Sequence, residues 1–259
     1  MEASKRKTQG FDAGIHPPRM LTGLPRPKFI RLGYWDIRGL GAPLRMLLKY
    51  SGVEHEVVYH KEAEDGSWFD EKKPELRKKN ALANLPYLEM DDGLVVCESN
   101  ACLIYLQESL GLSPPSDAAR LQSLALLSMC MCTRNDLVNR AYYAENISPP
   151  PCPTREAFVA SIQALLQAGP FAKYEASLRL SETPYFCGDA PCAADFAIWE
   201  MLDQHTMLAA HLGEPPPLAD MPLLAAHYER LRALPQLAGY FESPAYRLPC
   251  NSPALTHWS

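Results

Sequence analysis

The hydrophobic residues of this chain change rhythm once. Up to residue 97 they come mostly in short runs rich in β-branched and aromatic side chains, and beyond residue 117 they recur every three or four positions. Residues 29–48, FIRLGYWDIRGLGAPLRMLL, hold both rhythms: a short apolar run, a Gly-Tyr-Trp, and then Leu44, Leu47 and Leu48 at helical spacing. Pro43 suits the first turn of such a helix, where a missing N–H leaves nothing unpaired. The stretch predicts a strand, a tight turn and a helix, with the Tyr34 hydroxyl carried to the strand's end beside the positive helix N-terminus.

Residues 54–60 predict a second strand. Residues 62–79 are highly charged around one aromatic island, Ser67-Trp68-Phe69, and read as a mobile or ligand-covering segment with an exposed Trp68. If that segment is helical, Trp68 and Lys72 share a face. Residues 84–90 predict a strand led by Pro86, Asp91-Asp92-Gly93 a hairpin turn, and residues 94–97 the returning strand. Ser99 is expected to cap a helix running through Ala101, Leu103, Ile104 and Leu106 to a stop at Gly111. These elements make a small α/β unit of about eighty residues.

After a Ser-Pro-Pro-Ser linker at 113–116 the strand signal vanishes. Residues 117–143 predict one long helix with Leu121, Leu124, Leu127 and Met131 as its apolar positions. Four prolines break the chain at 148–153. A helix then starts at Thr154 with Phe158, Ile162, Leu165 and Leu166 on one face, is disturbed at Gly169-Pro170, and continues to Leu180. Helices over 193–210, 222–233 and 235–242 complete an all-helical second part.

Composition narrows the class. At 259 residues the chain suffices for one large domain or two modest ones, and a net charge of −5 argues against a nucleic-acid binder. The first 28 residues hold six basic side chains (Lys5, Arg6, Lys7, Arg19, Arg26, Lys28) against Glu2 and Asp12, a net of +4, which leaves −9 for the rest. With four prolines and no apolar periodicity, this leader reads as a disordered tail and not a secretory signal. No run nears 18 apolar residues, so no membrane-spanning helix is expected. The eight cysteines include no CxxC, and several lie inside apolar helical runs. They read as reduced, structural thiols of a cytosolic protein, not as a zinc site.

Taken in order, the motifs make the chain similar to the cytosolic glutathione transferases. Tyr34-Trp35-Asp36-Ile37-Arg38-Gly39-Leu40 resembles the opening motif of the mu class. Asn84-Leu85-Pro86-Tyr87-Leu88 and Glu98-Ser99-Asn100-Ala101 resemble the family's two further glutathione-site motifs, and residues 231–249, LRALPQLAGYFESPAYRLP, are similar to the ends of mu and pi chains. The resemblance covers residues 30–258. It implies a thioredoxin-like domain over 29–111, a linker over 112–116 and an all-helical electrophile-binding domain over 117–259, preceded by the basic leader 1–28. It further implies a cytoplasmic, metal-free homodimer that conjugates glutathione to small hydrophobic electrophiles in detoxification.

By the same resemblance Tyr34 is the catalytic group. Trp35, Leu40, Trp68, Lys72, Asn84, Leu85, Pro86, Glu98 and Ser99 bind glutathione, and Asp136 is a candidate to reach the partner subunit's site. Each role has a physical reason. A cis Leu85-Pro86 bond would turn the Leu85 backbone toward the cysteinyl backbone of glutathione, a strand-addition contact. Ser99 at a helix start suits the γ-glutamyl carboxylate, and Glu98, where mu relatives carry Gln, would meet the ammonium group. Lys72 would face the glycyl carboxylate. Tyr34 has the largest task. A thiol with a pKa near 8.5 is about 3% ionised at pH 7, and lowering it by two units requires roughly 2.7 kcal/mol. A hydrogen bond to a charged group supplies about 1.5–3 kcal/mol and a helix N-terminus about 0.3–1 kcal/mol more.

Further expectations concern support and alternatives. Arg38 is expected to pair with Asp36 or another acid. Tyr142 and Tyr143 fall near the place where mu relatives offer a second tyrosine to the electrophile, or belong to the core. Leu82 falls at the aromatic plug of mu dimers. Cys192 is a poor capping acceptor, leaving Asp195 alone to start the helix after it. A dinucleotide fingerprint at Gly39-Leu40-Gly41 is rejected for want of a third glycine and of repeated βαβ units. No G-x-S-x-G or H-E-x-x-H occurs. The remaining rivals are a catalytically weak or inactive binding or scaffold protein of the same fold and a glutathione-dependent isomerase.

Overall fold

The structure, a computed structural model, describes residues 24–61, 66–143 and 152–259. The expected disordered leader lies outside the described residues as far as 23, as do positions 62–65 of the charged segment and 148–151 of the proline break. Residues 24–28 correct the leader's boundary. Leu24 packs on the core and Arg26 donates to the carbonyls of Leu110 and Ser51, so these five residues belong to the folded unit.

Four strands form a mixed sheet in the order β2-β1-β3-β4. The central strand β1 (Phe29–Trp35) is parallel to β2 (Glu54–His60) and antiparallel to β3 (Tyr87–Met90), which pairs antiparallel with β4 (Val95–Cys97). The parallel pair needs a crossover, and α1 (Gly41–Ser51) provides it. Ile30, Leu32, Leu88 and Met90 bury one sheet face against Leu44, Leu47 and Leu48 of α1 and Leu103 and Leu106 of α3 (Ser99–Ser109). On the other face Trp68, Leu76, Ala83, Tyr87, Val95 and Cys97 form a second apolar cluster.

That second cluster overturns one expectation. Trp68 sits in a π-helical turn, Ser67–Lys72, that runs into α2 (Lys73–Arg77), and it is 1% exposed with its ring stacked on Tyr87. The shared face with Lys72 holds, since the Lys72 ammonium also lies over the Tyr87 ring. The charged neighbours hide the fact that Trp68 and Leu76 suffice to anchor a short helical segment to a sheet face.

From residue 117 on, the described chain is helical: α4 (Asp117–Ala141), α5 (Arg155–Gln167), α6 (Ala172–Ser181), α7 (Ala193–Leu212), α8 (Pro222–Arg232), a 3₁₀ turn at Pro235–Leu237 and α9 (Ala238–Phe241). Ser116 and Thr154 cap α4 and α5 with their hydroxyls. The long helix α7 is buried nearly all round and packs on α1, α3, α4 and α8, so the main core is continuous from the sheet into the helices. The apolar face predicted for α4 is corrected. Leu121 is 59% exposed, and Ser123, Leu126, Leu127, Cys130, Thr133, Leu137 and Ala141 face inward. Apolar residues occur all round α4, so its orientation is set by α7.

Two buried polar arrangements join the halves. Arg38 does not pair with Asp36; it crosses to α7 and binds Glu200 and Asp203. At the start of α7, Asp195 accepts from the Cys192 N–H, the Phe186 N–H and His227 Nε2. It does not act alone. Gln107 of α3 accepts from the Ala193 N–H at 3.1 Å and from Ser123 Oγ at 3.2 Å, supplying from another element an acceptor at the first turn.

The C-terminal segment ties the opening loop to α4. Arg38 and Gly39 N–H donate to the carbonyls of Pro249 and Cys250, and His257 N–H donates to Ala141 O at the other end. Tyr142 and Tyr143 serve this strap: Tyr142 Oη accepts from the Ser252 N–H and Tyr143 Oη donates to Ala254 O. The eight cysteines are free thiols, with Cys132 exposed and the others buried. No described helix is long and apolar enough to cross a membrane.

Candidate active site

Tyr34 ends β1 as the sequence predicts, and the turn behind it brings the helix start back onto the phenol. The Leu40 N–H, at the N-cap of α1, donates to Tyr34 Oη at 3.0 Å. Glycine permits this approach. A Cβ on Gly39, whose φ is +38°, would come 2.7 Å from Tyr34 Oη, and one on Gly41 would come 2.6 Å from its ring. The two glycines that faintly suggested a nucleotide loop are there to admit the phenol. Burial pushes the Tyr34 phenol above its ordinary value, against the opposing pull of the nearby Arg134 charge and the Leu40 N–H. Tyr34 is therefore protonated near neutrality. With one lone pair taken by Leu40, its own proton is available to an acceptor.

Beside this loop a cavity open to solvent lies between the two parts of the chain. Gly39, Leu40 and Pro43 form one wall and Ser99, Asn100 and Leu103 of α3 the next. From the helical side α4 contributes Leu127, Cys130, Met131 and Arg134, and α7 contributes Ala197 and Met201. The walls are mainly apolar, with Ser99 at the first turn of α3 and Arg134 as the charged group. Burial pushes the Cys130 thiol up to about 12, so it stays protonated and is no rival nucleophile.

Ser99 is the first helical residue of α3, not its N-cap. Glu98 holds that place with a φ of 71° and an exposed side chain. A left-handed residue at the cap lets the chain enter α3 sharply while leaving the Ser99 side chain on the cavity wall. The Leu85-Pro86 bond is cis. Leu85 is half-buried ahead of the sheet ladder, which begins at Tyr87, and Pro86 is buried with its carbonyl near the Cys102 thiol. Asn84 is exposed.

The fold thus gathers the predicted residues into two neighbouring sets. Leu40 and Ser99 line the cavity, with Tyr34 behind Leu40. Trp35 and Leu85 pack on the cluster that contains Trp68, and the Trp35 and Trp68 rings meet edge to face at 6.3 Å. The Lys72 ammonium is held by Glu89 and Glu75, both at 3.1 Å. Asp136 is exposed on α4 and pairs with Arg140, away from this cavity. Arg134 was missed. It lies three residues after Met131, so helical spacing places both on one face, but a charge there reads as a solvated residue until α7 and α3 close the opposite walls.

Among the described residues no cluster of three or more His, Cys, Asp or Glu is arranged to hold a metal ion. Comparison with known proteins adds a family. Residues 30–108 match the model "Glutathione S-transferase, N-terminal domain" and residues 168–244 match "Glutathione S-transferase, C-terminal domain". Glutathione S-transferase Mu 1 of Oryctolagus cuniculus is 31% identical over 223 residues, covering 84% of this chain and 93% of that protein. The class-mu 26 kDa isozyme 1 of Fasciola hepatica is 31% identical over 224 residues, covering 85% and 90%. The crystal structure of the glutathione S-transferase Blo t 8 superposes with a TM-score of 0.69 at 27% identity, covering 87% of this chain and 98% of that one.

Proposed function

The chain belongs to the glutathione S-transferase family, with mu-class enzymes among its relatives, and we propose that within this transferase Tyr34 holds the sulfur of bound glutathione as a thiolate. The enzyme conjugates glutathione to electrophiles, with detoxification as the general role of such activity. The observation that carries the assignment of Tyr34 is the Leu40 N–H···Oη bond at 3.0 Å on the rim of the cavity. The phenol accepts from the helix start and donates outward. One bond to a thiolate, worth about 1.5–3 kcal/mol, together with a helix N-terminus worth about 0.3–1 kcal/mol, meets the roughly 2.7 kcal/mol needed to lower the thiol pKa by two units.

In this reading the tripeptide lies across the ends of β1 and β3 and the start of α3. Leu85 offers its backbone to the cysteinyl unit and Ser99 meets the γ-glutamyl carboxylate. Glu98 meets the ammonium, and Trp35, Leu40, Asn84 and Pro86 shape the groove. Trp68 supports Trp35 from behind. Lys72 reaches the glycyl carboxylate only by sharing its charge with Glu89 and Glu75. The electrophile occupies the apolar cavity between a glutathione-binding domain, 29–111, and a helical domain, 117–259, as domain junctions commonly allow. A cytoplasmic two-fold dimer completes the assignment. Leu82, 70% exposed, is the apolar plug, and Asp136 on the exposed face of α4 reaches toward the partner's glutathione.

The test is retention on immobilised glutathione followed by conjugation of a neutral aryl halide such as chlorodinitrobenzene. Both are expected. Retention without turnover would overturn the assignment of Tyr34 as a catalytic residue.

A further inference from the structure

The electrophile pocket carries one feature that conjugation of neutral apolar compounds does not call for. Arg134 lines, from α4, a cavity whose other walls are mainly apolar apart from Ser99 and Asn100 of α3. The residue is partly exposed and forms no ion pair among the described residues. The partner it has is the neighbouring amide, Asn135 Oδ1, at 3.2 Å from Nη1. The nearest acid along the helix, Asp136, pairs with Arg140 on the outer side. The interior cation of the opening loop, Arg38, is by contrast met by two carboxylates. An arginine on the open side of an apolar cavity keeps its hydration until a ligand enters, and a ligand carrying an anionic group replaces the water it displaces.

From this arrangement we infer that Arg134 is a specificity-determining residue that selects electrophiles bearing a carboxylate or similar anionic group. This rests on reading the cavity as the electrophile pocket. Arg134 lies close enough to Tyr34 for its charge to bear on the phenol. An anionic group paired with the guanidinium therefore leaves the rest of a small aromatic or unsaturated acid over the reacting sulfur. Arginine's planar fork suits a carboxylate in two-point contact. The chemistry itself is unchanged. With an aryl chloride the thiolate sulfur forms a bond to the ring carbon and the carbon–chlorine bond breaks. Chloride leaves with the electron pair, and the thiol proton has already passed to solvent.

The test compares a chloronitrobenzoate with the corresponding chloronitrobenzamide, each rate divided by its uncatalysed reaction with glutathione. The full-length protein is used as wild type, Arg134→Gln and Arg134→Lys. For the glutamine variant, the benzoate-to-benzamide ratio of kcat/KM is expected to fall about 10- to 100-fold, the loss expected for a charge-assisted contact. The lysine variant should recover part of that ratio, which is the quantity read, because any effect of the substitution on the pocket or on the phenol falls on both substrates alike. An unchanged ratio, or an equal loss on both substrates, overturns the inference. An equal loss with a raised pKa of the bound thiol would assign Arg134 to the sulfur instead. If the wild type turned over neither compound, chlorodinitrobenzene would show whether the transferase reading or only this specificity had failed.

Discussion

Arg38 closes on both carboxylate oxygens of Glu200, with Nε at 3.0 Å and Nη2 at 2.8 Å, across 162 positions of sequence and between the sheet-bearing and helical parts of the chain. Nη2 also reaches Asp203 at 2.6 Å, and Tyr228 and Tyr246 donate to the same carboxylate. The cluster is buried, which pushes the Glu200 carboxyl upward while Arg38 opposes the shift. Removing one member leaves a charge in the interior without its counter-charge. Arg38→Met is therefore expected to cost about 3–5 kcal/mol in stability, seen as a lowered midpoint in urea unfolding. A midpoint within error of the wild type would show that the network contributes no net stability.

Tyr34→Phe deletes the proton offered to the sulfur and orphans the Leu40 N–H while keeping the ring in place. The expected outcome is a loss of about 10- to 100-fold in kcat/KM for a neutral aryl halide near pH 6.5, with KM for glutathione nearly unchanged. The bound thiol should titrate close to its free value near 8.5, followed by mercaptide absorbance in the ultraviolet. Wild-type rates with an unchanged pH profile would remove Tyr34 from the mechanism.

His205 sits in the middle of α7, fully buried, with Nδ1 2.7 Å from the Met201 carbonyl and Nε2 facing no partner among the described residues. Burial lowers its pKa to about 4. In the unfolded chain histidine titrates near 6.5, so between that value and about 4 the unfolded state binds the proton and the folded state does not. Stability is thus complete above pH 6.5 and falls as the pH drops toward 4, by about 3 kcal/mol from this one group. His205→Leu should flatten the pH dependence in urea unfolding between pH 7.5 and 5. An equally steep loss in the variant would assign the acid sensitivity to other groups.

Gln107 bridges three elements through one oxygen. Without it the Ala193 N–H at the start of α7 and the Ser123 hydroxyl lose their acceptor in a buried place. Gln107→Leu should cost about 1–3 kcal/mol in thermal or urea unfolding. Hydrogen exchange at the first turn of α7 should accelerate more than at its centre. Unaltered protection there would mean that the Cys192–Asp195 capping box holds the helix start without Gln107.

The elements were largely legible along the chain because each carries its own local signal. The period of Leu44, Leu47 and Leu48, the Asp91-Asp92-Gly93 turn, and the helix start at Thr154 all act within a few residues. Legibility failed where a charged neighbourhood concealed one buried anchor, as at Trp68. It failed again where apolar residues surround a helix, as on α4, so that no period distinguishes the inward face from the outward one.

By itself the sequence determined that a strand, a tight glycine turn and a helix would bring Tyr34 to a helix start, and its ordered motifs were enough to indicate the family. The pairing of Arg38 with α7, the support of that helix by Gln107, the strap that occupies Tyr142 and Tyr143, and the entry of Arg134 into the cavity were decided only by the tertiary structure. Local hydrogen bonding and side-chain period extend over a turn or two. Charge pairs and cavity walls depend on which faces meet when segments more than a hundred residues apart are packed together, and no short window of sequence contains that information.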